Sequence, residues 1–331
     1  MIIDKTVAAL AVPTTREREA LAALEPSVAA HDKAMAGLDC FGAVEVAGSA
    51  KEMAPLGFPL TVAAWNLERC LFPERSAAKI AASGASVVLL SEMDDGMSRS
   101  GQRHTTAAVA DALGMAYAYG VEFLELGLGS QSERQFCKDA SNEKGFHGNG
   151  LLAAGPLVRP FLFRLPGERV WFGGGEQSRI GERMAVGAVI ETEEGPFVAV
   201  SVHLESNADS PYRERQIMAL IDAVEAHAPG LPILIGGDLN TGNHIGGDFE
   251  KEGLFAASAA RGFLRHSGPM DQMTTRPSLI TRHPDRAMKL DWFLSRGLAI
   301  GSSAIVPSLD DDGTPLSDHD MIVCRIEGFS I

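Results

Sequence analysis

The sequence predicts an α/β protein in which two mixed β-sheets pack face to face and helices cover their outer faces. Short apolar runs bounded by glycine, proline or charged residues recur from about residue 60 onward, which is typical of buried strands. Helical patterns separate several of these runs, yet too many strands follow one another directly for a purely parallel sheet. A length of 331 residues is enough for one large domain or two ordinary ones.

The N-terminal segment has a different pattern, which favours helix. Residues 14–37 are rich in Ala, Leu and Glu, although Pro26 must end or kink a turn there. We therefore predict a helical extension over residues 1–55, packed on a main domain that covers residues 56–331. The apolar stretch VAALAV near the start of the chain follows charged residues and lacks a clear cleavage site, so no signal peptide is predicted.

The main domain begins with a strand pattern and then alternates between strand and helix. In chain order the predicted strands are LTVAAWNLE, VVLLSE, YAYGVEFLEL, GLLAAGPL, AVGAVIE, PFVAVSVHLE, PILIGGDLN, LDWFLS and DMIVCRI. Between them, PERSAAKIAASGA, HTTAAVADALG and SPYRERQIMALIDAVEAHA predict helices; in the last of these we expect Ser210 as N-cap and Pro211 at the first helical position. Residues 127–150 and 265–289 fit neither pattern. Since loops of this length are often functional, both are candidate substrate-binding loops.

Composition and charge argue against several classes of protein. With 45% hydrophobic and 22% charged residues, the chain is close to the globular average and unlike a disordered or coiled-coil protein. With a net charge of −14, the chain lacks the excess of basic residues that is typical of a tight, non-specific nucleic-acid binder. No apolar run approaches the ~20 residues that span a bilayer, so no transmembrane segment is predicted. Four scattered cysteines without a C-x-x-C pair fit a reducing compartment, and we predict a cytoplasmic location.

The main functional signal is a polar side chain at the end of one apolar strand after another. A single such residue is usually a polar group that reaches water, but six strand ends of this kind in one chain predict a shared site. The residues are Asn66 and Glu68, Glu92, His203 and Glu205, Asp238 and Asn240, Asp291, and the run Ser317 to Asp320.

The order of these motifs resembles the endonuclease/exonuclease/phosphatase superfamily, whose fold is that of deoxyribonuclease I. The motifs are WNLE (65–68), LLSE (89–92), GNGLL (148–152), VHLE (202–205), GGDLN (236–240), KLDWFL (289–294) and SDHD (317–320). The resemblance spans about residues 60–327. It implies a four-layer α/β sandwich that presents these residues at one edge of its two sheets, a catalytic domain over residues 56–331, and metal-assisted hydrolysis of a phosphate ester.

The residue types favour Mg²⁺ or Mn²⁺ as the cofactor, because oxygen ligands dominate and no Cys/His cluster indicates zinc. Glu92 is predicted as a metal ligand: a carboxylate that closes a buried strand is held rigidly, and the resemblance implies a metal-binding Glu at this position. The resemblance also implies that Asn66 lies beside the same metal. Asp318 is adjacent to His319 and points to the other face of an extended segment, where it can serve a metal.

Four further residues are predicted to carry the chemistry. His319 is the candidate general base, because imidazole titrates near neutrality and can accept a proton from an attacking water. Such a base needs a partner on its other ring nitrogen, which the resemblance implies to be Asp291. Asp238 and Asn240 are two residues apart, so in an extended segment both project to one side and can grip a water and a phosphate oxygen.

A smaller set of residues is predicted to contact the substrate or its leaving group. By resemblance to phosphodiesterase members of the superfamily, His203 stabilises the phosphate or protonates the leaving oxygen. Asn149 also matches a family position and is predicted to bind substrate. Arg99 and Arg103 lie before a predicted helix that begins near His104, which is a ready site for an anion.

Taken together, the motifs predict a divalent-metal-dependent phosphoesterase, most consistent with a phosphodiesterase. The charge of −14 and 6% aromatic content favour a small phosphodiester or a lipid headgroup over a nucleic acid, although a nuclease stays an alternative. A phosphomonoesterase, with Arg99 and Arg103 as a phosphate clamp, is a further alternative. So is a catalytically silent binding protein of the same fold. The sequence leaves the oligomeric state and the role of residues 1–55 open.

Overall fold

In the computed structural model, which describes residues 2–49, 54–167 and 178–330, two mixed β-sheets pack face to face. The strands are β1 (Ile2–Ile3), β2 (Thr6–Val7), β3 (Val44–Gly48), β4 (Leu60–Arg69), β5 (Ala85–Asp95), β6 (Ala116–Glu125), β7 (Phe146–Ala153), β8 (Leu157–Arg164), β9 (Arg179–Gly181), β10 (Met184–Thr192), β11 (Gly195–His203), β12 (Ile233–Asp238), β13 (Leu264–His266), β14 (Asp291–Arg296), β15 (Leu298–Val306) and β16 (Met321–Phe329). The α-helices are α1 (Thr15–Ala22), α2 (Val28–Ala36), α3 (Pro73–Ser83), α4 (Thr105–Leu113), α5 (Gln131–Arg134), α6 (Ser210–His227) and α7 (Gly253–Ala260).

The two sheets have different strand orders but the same mixed character. The first sheet runs β1-β8-β10-β11-β12-β14-β13, and the second runs β15-β16-β4-β5-β7-β6-β3-β2 with β9 paired to β6. Each sheet has a parallel pair near its middle, β11 with β12 in the first and β4 with β5 in the second, while most other neighbours are antiparallel. The predicted pair of mixed sheets is therefore confirmed.

Alternation of side chains along the central strands produces the layers. In β12, Leu234 packs between the sheets, whereas Ile233 and Ile235 face α6 on the outside. In β5, Leu89 packs between the sheets and Leu90 faces the side on which α3 and α4 lie. Because successive strand residues point to opposite faces, an apolar strand of this kind must be covered on both sides. The predicted four-layer α/β sandwich follows and is confirmed.

Helix α6 shows how local sequence sets an element. Its apolar residues Ile217, Leu220, Ile221 and Val224 recur at helical spacing and are all buried. The predicted N-cap, Ser210, is wrong by one residue. Asp209 caps the helix, because its carboxylate accepts a hydrogen bond from the Tyr212 backbone N–H at 3.0 Å.

The N-terminal segment contributes strands as well as helices. Pro26 lies between α1 and α2, as predicted, and Ser27 caps α2. Strand β1 pairs with β8 in the first sheet, and β2 and β3 extend the second sheet next to β6. The sequence does not predict these strands. A domain division at residue 55 stays a prediction.

Helix length and hydropathy bear on membrane insertion. In the described part of the chain, no helix combines the length and apolar character needed to cross a bilayer.

Candidate active site

The register of strand pairing in the first sheet places several residues of the site next to one another. His203 at the end of β11 is opposite Asp238 at the end of β12, and Asp238 is opposite Asp291 at the start of β14. Three of the predicted residues therefore lie side by side on neighbouring strands. From the second sheet, Asn66 on β4 is opposite Ser91 on β5, directly before Glu92.

The Asp238 carboxylate is the point where residues from both sheets meet. Its Oδ2 lies 3.1 Å from Asn66 Nδ2, 3.4 Å from His203 Nε2 and 3.7 Å from His319 Nε2. All four side chains are nearly buried. Because strands of both sheets end at this edge, residues that are far apart in the chain form one cluster.

A buried dyad lies beside this carboxylate. His319 Nδ1 lies 2.8 Å from Asp291 Oδ2, which fixes the ring so that Nε2 faces Asp238. Burial disfavours the charged imidazole, but the carboxylates of Asp291 and Asp238 outweigh it and raise the pKa of His319 well above the ordinary value. The segment around His319 is held by the Trp65 indole, whose N–H donates to the His319 carbonyl at 2.8 Å.

The end of β4 and the turn that follows it carry an unusual backbone. Glu68, Arg69 and Cys70 all have positive φ, of 43°, 78° and 53°, and Glu92 has a φ of 57°. Such conformations are costly for side-chain-bearing residues and cluster at functional sites. Here the turn directs the Arg69 guanidinium onto the Glu92 carboxylate.

Glu92 is thereby held from two sides. Asn66 Nδ2 donates to Glu92 Oε1 at 3.2 Å, and Arg69 contacts the other carboxylate oxygen. Arg69 is itself anchored by Glu133 Oε1, 2.7 Å from its Nε. Arg69 and Glu133 are absent from the predicted site, because nothing in the sequence shows that the turn after β4 faces α5.

The GGDLN motif ends β12 in a backbone conformation that favours glycine. Gly237 has a φ of 144°, and a Cβ there would lie 2.1 Å from the Val202 carbonyl oxygen. The backbone N–H of Asn240 donates to Asp238 Oδ1 at 2.8 Å, and the Asn240 amide donates to the Leu204 carbonyl at 3.0 Å. Asp238 and Asn240 both line the cleft, as expected for side chains that project to one side.

His203 belongs to a second buried arrangement. Its Nδ1 lies 3.6 Å from Glu122 Oε2, and Arg183 Nη1 lies 2.6 Å from Glu122 Oε1. Burial by itself raises the pKa of Glu122, but the charges of Arg183 and His203 outweigh it and hold that pKa well below its usual range. Sequence reasoning missed Glu122. The signal was available, since a carboxylate in the middle of the apolar run YAYGVEFLEL needs a buried partner.

Two carboxylates lie together on the far side of His319. The Asp318 backbone N–H donates to Glu68 Oε2 at 3.1 Å, and Asp318 Oδ1 is 3.9 Å from His319 Nε2. Burial, reinforced by the charge of Asp318, raises the pKa of Glu68 to about 8. Negative charge at this end of the cleft is therefore not fully compensated.

The donor set fits a hard divalent cation. Carboxylate oxygens of Glu68, Glu92, Asp238 and Asp318 line one cleft, and the raised pKa of Glu68 shows that added positive charge there would be favourable. One oxygen of Asp238 and of Asp291 and one ring nitrogen of His319 also lie within 4.8 Å of one another.

Asn66 differs in orientation from the ligand that the sequence predicts. Its amide oxygen accepts the Glu68 backbone N–H at 3.0 Å, and its amide N–H₂ donates to Glu92 and Asp238. Asn66 therefore orients the two carboxylates, and its role as a metal ligand stays a prediction.

Arg99, predicted to bind substrate, is instead buried behind the site. Its guanidinium lies 2.8 Å from Asp94 Oδ1, 2.9 Å from Glu125 Oε2 and 3.0 Å from Glu133 Oε1. With only 3% of its surface exposed, it has no face open to the cleft. The carboxylates that surround it come from β5, β6 and α5, and only Asp94 lies near Arg99 in the sequence.

The other two predicted substrate-binding residues also lie away from the cleft. Arg103 is on the surface and pairs with Glu74, while the neighbouring His104 caps α4 as the pattern suggested. Asn149 is fully buried in β7, and its amide donates to the Met184 carbonyl at 3.0 Å.

The cleft itself has a volume of about 460 Å³ and contains many charged side chains. Beyond the residues above, its lining includes His147, Arg179, His244, Arg276, Arg282, His283 and Arg286. Several of these come from residues 265–289, one of the two predicted substrate-binding loops, and Ser130 and Glu133 come from the other. Sequence reasoning named these loops but not the residues within them.

Comparison with known proteins identifies the fold. By sequence, neither a protein-family model nor a curated protein matches the chain. Among solved structures, an endonuclease/exonuclease/phosphatase from Beutenbergia cavernae is 19% identical, with a TM-score of 0.57 over 81% of this chain and 71% of that one. The human Nocturnin catalytic domain is 17% identical, with a TM-score of 0.54 over 87% and 97%. An endonuclease/exonuclease/phosphatase family protein from Leptotrichia buccalis is 15% identical, with a TM-score of 0.57 over 81% and 99%. At these identities the similarity shows a shared fold.

Proposed function

Because the chain has the fold of the endonuclease/exonuclease/phosphatase superfamily, we propose that it is a divalent-metal-dependent phosphoester hydrolase, and specifically a phosphodiesterase. The observation that carries the proposal is the His319–Asp291 dyad, with a 2.8 Å Nδ1 to Oδ2 contact, facing the Asp238 carboxylate in a cleft that also contains Glu92. A positioned base beside a carboxylate cluster suits the activation of water for attack on phosphorus.

In this proposal Glu92 and Asp318 hold the metal, with Asn66 orienting Glu92, and the oxygen donors favour Mg²⁺ or Mn²⁺. When bound, the cation neutralises charge on the phosphate and offsets the carboxylates that raise the pKa of His319. The remaining steps belong to side chains of the protein.

His319 Nε2 accepts a proton from the attacking water while Asp291 stabilises the imidazolium that forms. Asp238 and Asn240 fix the water and a phosphate oxygen at the end of β12. On the opposite side, His203 donates a proton to the leaving oxygen, and Glu122 and Arg183 set its orientation. Two imidazoles on either side of one carboxylate give the reaction separate groups for accepting and donating protons.

The cleft serves the leaving group of either ester class, and the position of the predicted phosphate clamp favours a diester over a monoester. An alkoxide or aryloxide leaving group needs a proton or charge stabilisation, and His203 is positioned to supply it, 3.4 Å from Asp238. The phosphomonoesterase alternative depended on Arg99 and Arg103 as a clamp, and neither side chain lines the cleft.

The test is turnover of bis(p-nitrophenyl) phosphate and p-nitrophenyl phosphate in parallel, with Mg²⁺ or Mn²⁺ titrated into metal-free protein. We expect metal-dependent release of p-nitrophenol from the diester in excess of the monoester. His319→Ala and Glu92→Gln should each lower diester turnover by at least about 100-fold. Glu194→Gln, an exposed carboxylate on the turn between β10 and β11, is the matched control and should retain full activity.

Each of the other possible results of this experiment would support a different function. Preference for the monoester would support a phosphomonoesterase, and turnover of a DNA or RNA oligonucleotide far above that of the diester would support a nuclease. Failure of the protein to hydrolyse either compound, with no Mn²⁺ binding by calorimetry, would overturn the proposal in favour of a silent binding protein.

A further inference from the structure

Residues 275–286, here called the strap, contribute many of the residues that line the cleft. At one end Thr275 pairs with His319, and the Arg276 backbone N–H donates to the Asp318 carbonyl at 2.8 Å. In the middle, the Ile280 carbonyl accepts a hydrogen bond from Ser132 on α5 at 3.1 Å.

The far end of the strap reaches the loop after β12. There the Arg286 guanidinium donates to the Asn243 side-chain oxygen, and the Asn243 amide donates to Asn240 Oδ1 at 2.7 Å. The strap thus connects segments from both sheets and forms one wall of the cleft.

This wall is cationic although the protein as a whole carries a charge of −14. The strap contains Arg276, Arg282 and Arg286 but a single carboxylate, Asp285. Arg276 is neutralised by Asp320, with Nη2 to Oδ2 at 2.9 Å.

The other two arginines keep their charge available. Over the described ranges, Arg282 makes no hydrogen bond or ion pair, and Arg286 binds a neutral amide. Both are exposed to solvent, and both line the same cleft as His319 and Glu92.

Two histidines extend the same surface. His244, in the loop after β12, and His283, beside Arg282 on the strap, also line the cleft. Imidazole N–H groups and guanidinium groups are all hydrogen-bond donors, and guanidinium groups bind phosphate oxygens in a bidentate manner. Glu68, Glu92 and Asp318 also line the cleft, and within the described residues none of them forms an ion pair with Arg282 or Arg286.

We propose that Arg282 and Arg286, with His244 and His283, form a second anion-binding subsite, and that the natural substrate is a small phosphodiester carrying a further phosphate group. The inference rests on the proposed phosphodiesterase function and specifies its substrate class. Arg286 is joined to the reaction centre through Asn243 and Asn240, so a phosphate held at the strap fixes the position of the scissile phosphate at Asp238.

The dimensions of the site favour a small molecule over a polymer. A cleft of about 460 Å³ is within the range of small-ligand sites, roughly 300–1,000 Å³. The strap forms one wall of it, and a net charge of −14 repels a long polyanion outside the cationic subsite.

A matched pair of chromogenic substrates tests the proposal. The first is the p-nitrophenyl ester of thymidine 5′-monophosphate, and the second is the same compound with an added 3′-phosphate. We expect the added phosphate to raise kcat/KM by about tenfold or more, mainly through a lower KM, because charge-assisted hydrogen bonds form at the strap. The double variant Arg282→Gln/Arg286→Gln should abolish this preference, so that the two esters have equal kcat/KM.

The control variant is Arg16→Gln, an exposed arginine on α1, which should keep the wild-type preference. Binding of thymidine 3′,5′-bisphosphate and of thymidine 5′-monophosphate to the metal-free protein, measured by calorimetry, gives a readout independent of turnover. The bisphosphate should bind the wild-type protein about tenfold more tightly than the monophosphate does. The double variant should bind the two compounds with equal affinity.

The outcomes separate this inference from the proposed function. Turnover of both esters at equal kcat/KM, or a preference that survives in the double variant, would overturn the second subsite and leave the phosphodiesterase intact. No turnover of either ester would count against the phosphodiesterase, while calorimetry still decides the subsite. A single-stranded oligonucleotide that is cleaved faster than the phosphorylated ester would show that the second phosphate belongs to a nucleic-acid strand, against the small-molecule substrate.

Discussion

At the scale of single residues, Asp291 controls His319 through one contact. The 2.8 Å bond from Nδ1 to Asp291 Oδ2 selects the tautomer that leaves Nε2 free toward Asp238. An amide at position 291 keeps the shape of the side chain but removes the negative charge and allows the wrong ring orientation.

We therefore expect Asp291→Asn to lower kcat for bis(p-nitrophenyl) phosphate by roughly 10²–10⁴-fold, the usual contribution of general base catalysis. The pKa of His319 should also fall, since Asp291 is the largest of the charges that raise it. Steady-state kinetics and the imidazole NMR titration measure the two effects. Asp111→Asn, an exposed residue on α4, is the control, and an unchanged kcat in Asp291→Asn would remove the dyad from the mechanism.

A second residue-scale prediction concerns His147 and stability. Burial and the charge of Arg69 lower the pKa of His147 to about 4, against the opposing effect of Asp94. The unfolded chain then binds a proton near pH 6.5 that the folded protein binds only near pH 4. The contribution of neutral His147 to the free energy of unfolding is therefore fully present above the unfolded pKa. It is lost as the pH falls from about 6.5 toward 4, because the unfolded chain takes up the proton first.

Urea unfolding at pH 7 and pH 5 measures this effect. The wild type should lose about 2 kcal/mol from this group between the two pH values. His147→Gln, which does not titrate, should show a correspondingly shallower pH dependence. Parallel curves for the two proteins would contradict the assignment of His147 as neutral.

The site could be predicted from the sequence where a residue lies at either end of an apolar strand. Asn66, Glu92, His203 and Asp238 each follow an apolar run, and the structure brings them together. Arg69, Glu122 and Arg183 could not be found in this way, because each depends on which strands become neighbours. Arg99 shows the converse: its local position suggests an anion site, but distant buried carboxylates neutralise it.

At the scale of elements, the sharp end of β12 decides where Asp238 lies. Gly237 combines a φ of 144° with a close approach to the carbonyl of Val202 on β11. This approach keeps the parallel pair β11–β12 in the register that places Asp238 opposite His203.

Gly237→Ala should therefore destabilise the protein by at least about 3 kcal/mol and abolish turnover, because backbone strain adds to a steric clash. Gly84→Ala separates the two causes. Gly84 has a φ of 71° at the end of α3 but nothing within 4 Å of its Cβ position, so the cost should be near 1 kcal/mol. Equal destabilisation of the two variants in urea would show that the clash with Val202 is relieved by backbone movement.

The sequence predicts where strands and helices lie in the chain better than it predicts which strands pair. The predicted strands VVLLSE and PILIGGDLN match the cores of β5 and β12. Strands β1 to β3 are too short to show a strand pattern in the sequence. They can be recognised only from their pairing with other strands in the structure. The stretch 265–289 is irregular as expected, but its strap is ordered by hydrogen bonds to other loops that no local pattern encodes.

At the scale of the whole molecule, the fold brings carboxylates together that would repel one another without a cation. Glu68 and Asp318 come from β4 and from the segment before β16, and burial with the charge of Asp318 raises the pKa of Glu68 to about 8. A ligand that binds the folded protein but not the unfolded chain stabilises it by mass action. Metal binding at this edge should therefore link folding to cation concentration.

We expect Mn²⁺ at about 100 times its Kd to stabilise the wild-type protein by about 2.7 kcal/mol, seen as a higher Tm that a chelator reverses. Glu92→Gln should lose most of this rise, because it removes a carboxylate that the Asn66 amide and the Arg69 guanidinium hold in the cleft. Glu194→Gln should keep the full rise, which excludes a non-specific effect of surface charge. Equal rises in Tm for both variants would mean that the cation binds elsewhere on this acidic protein, and Glu92 would then have no part in holding it.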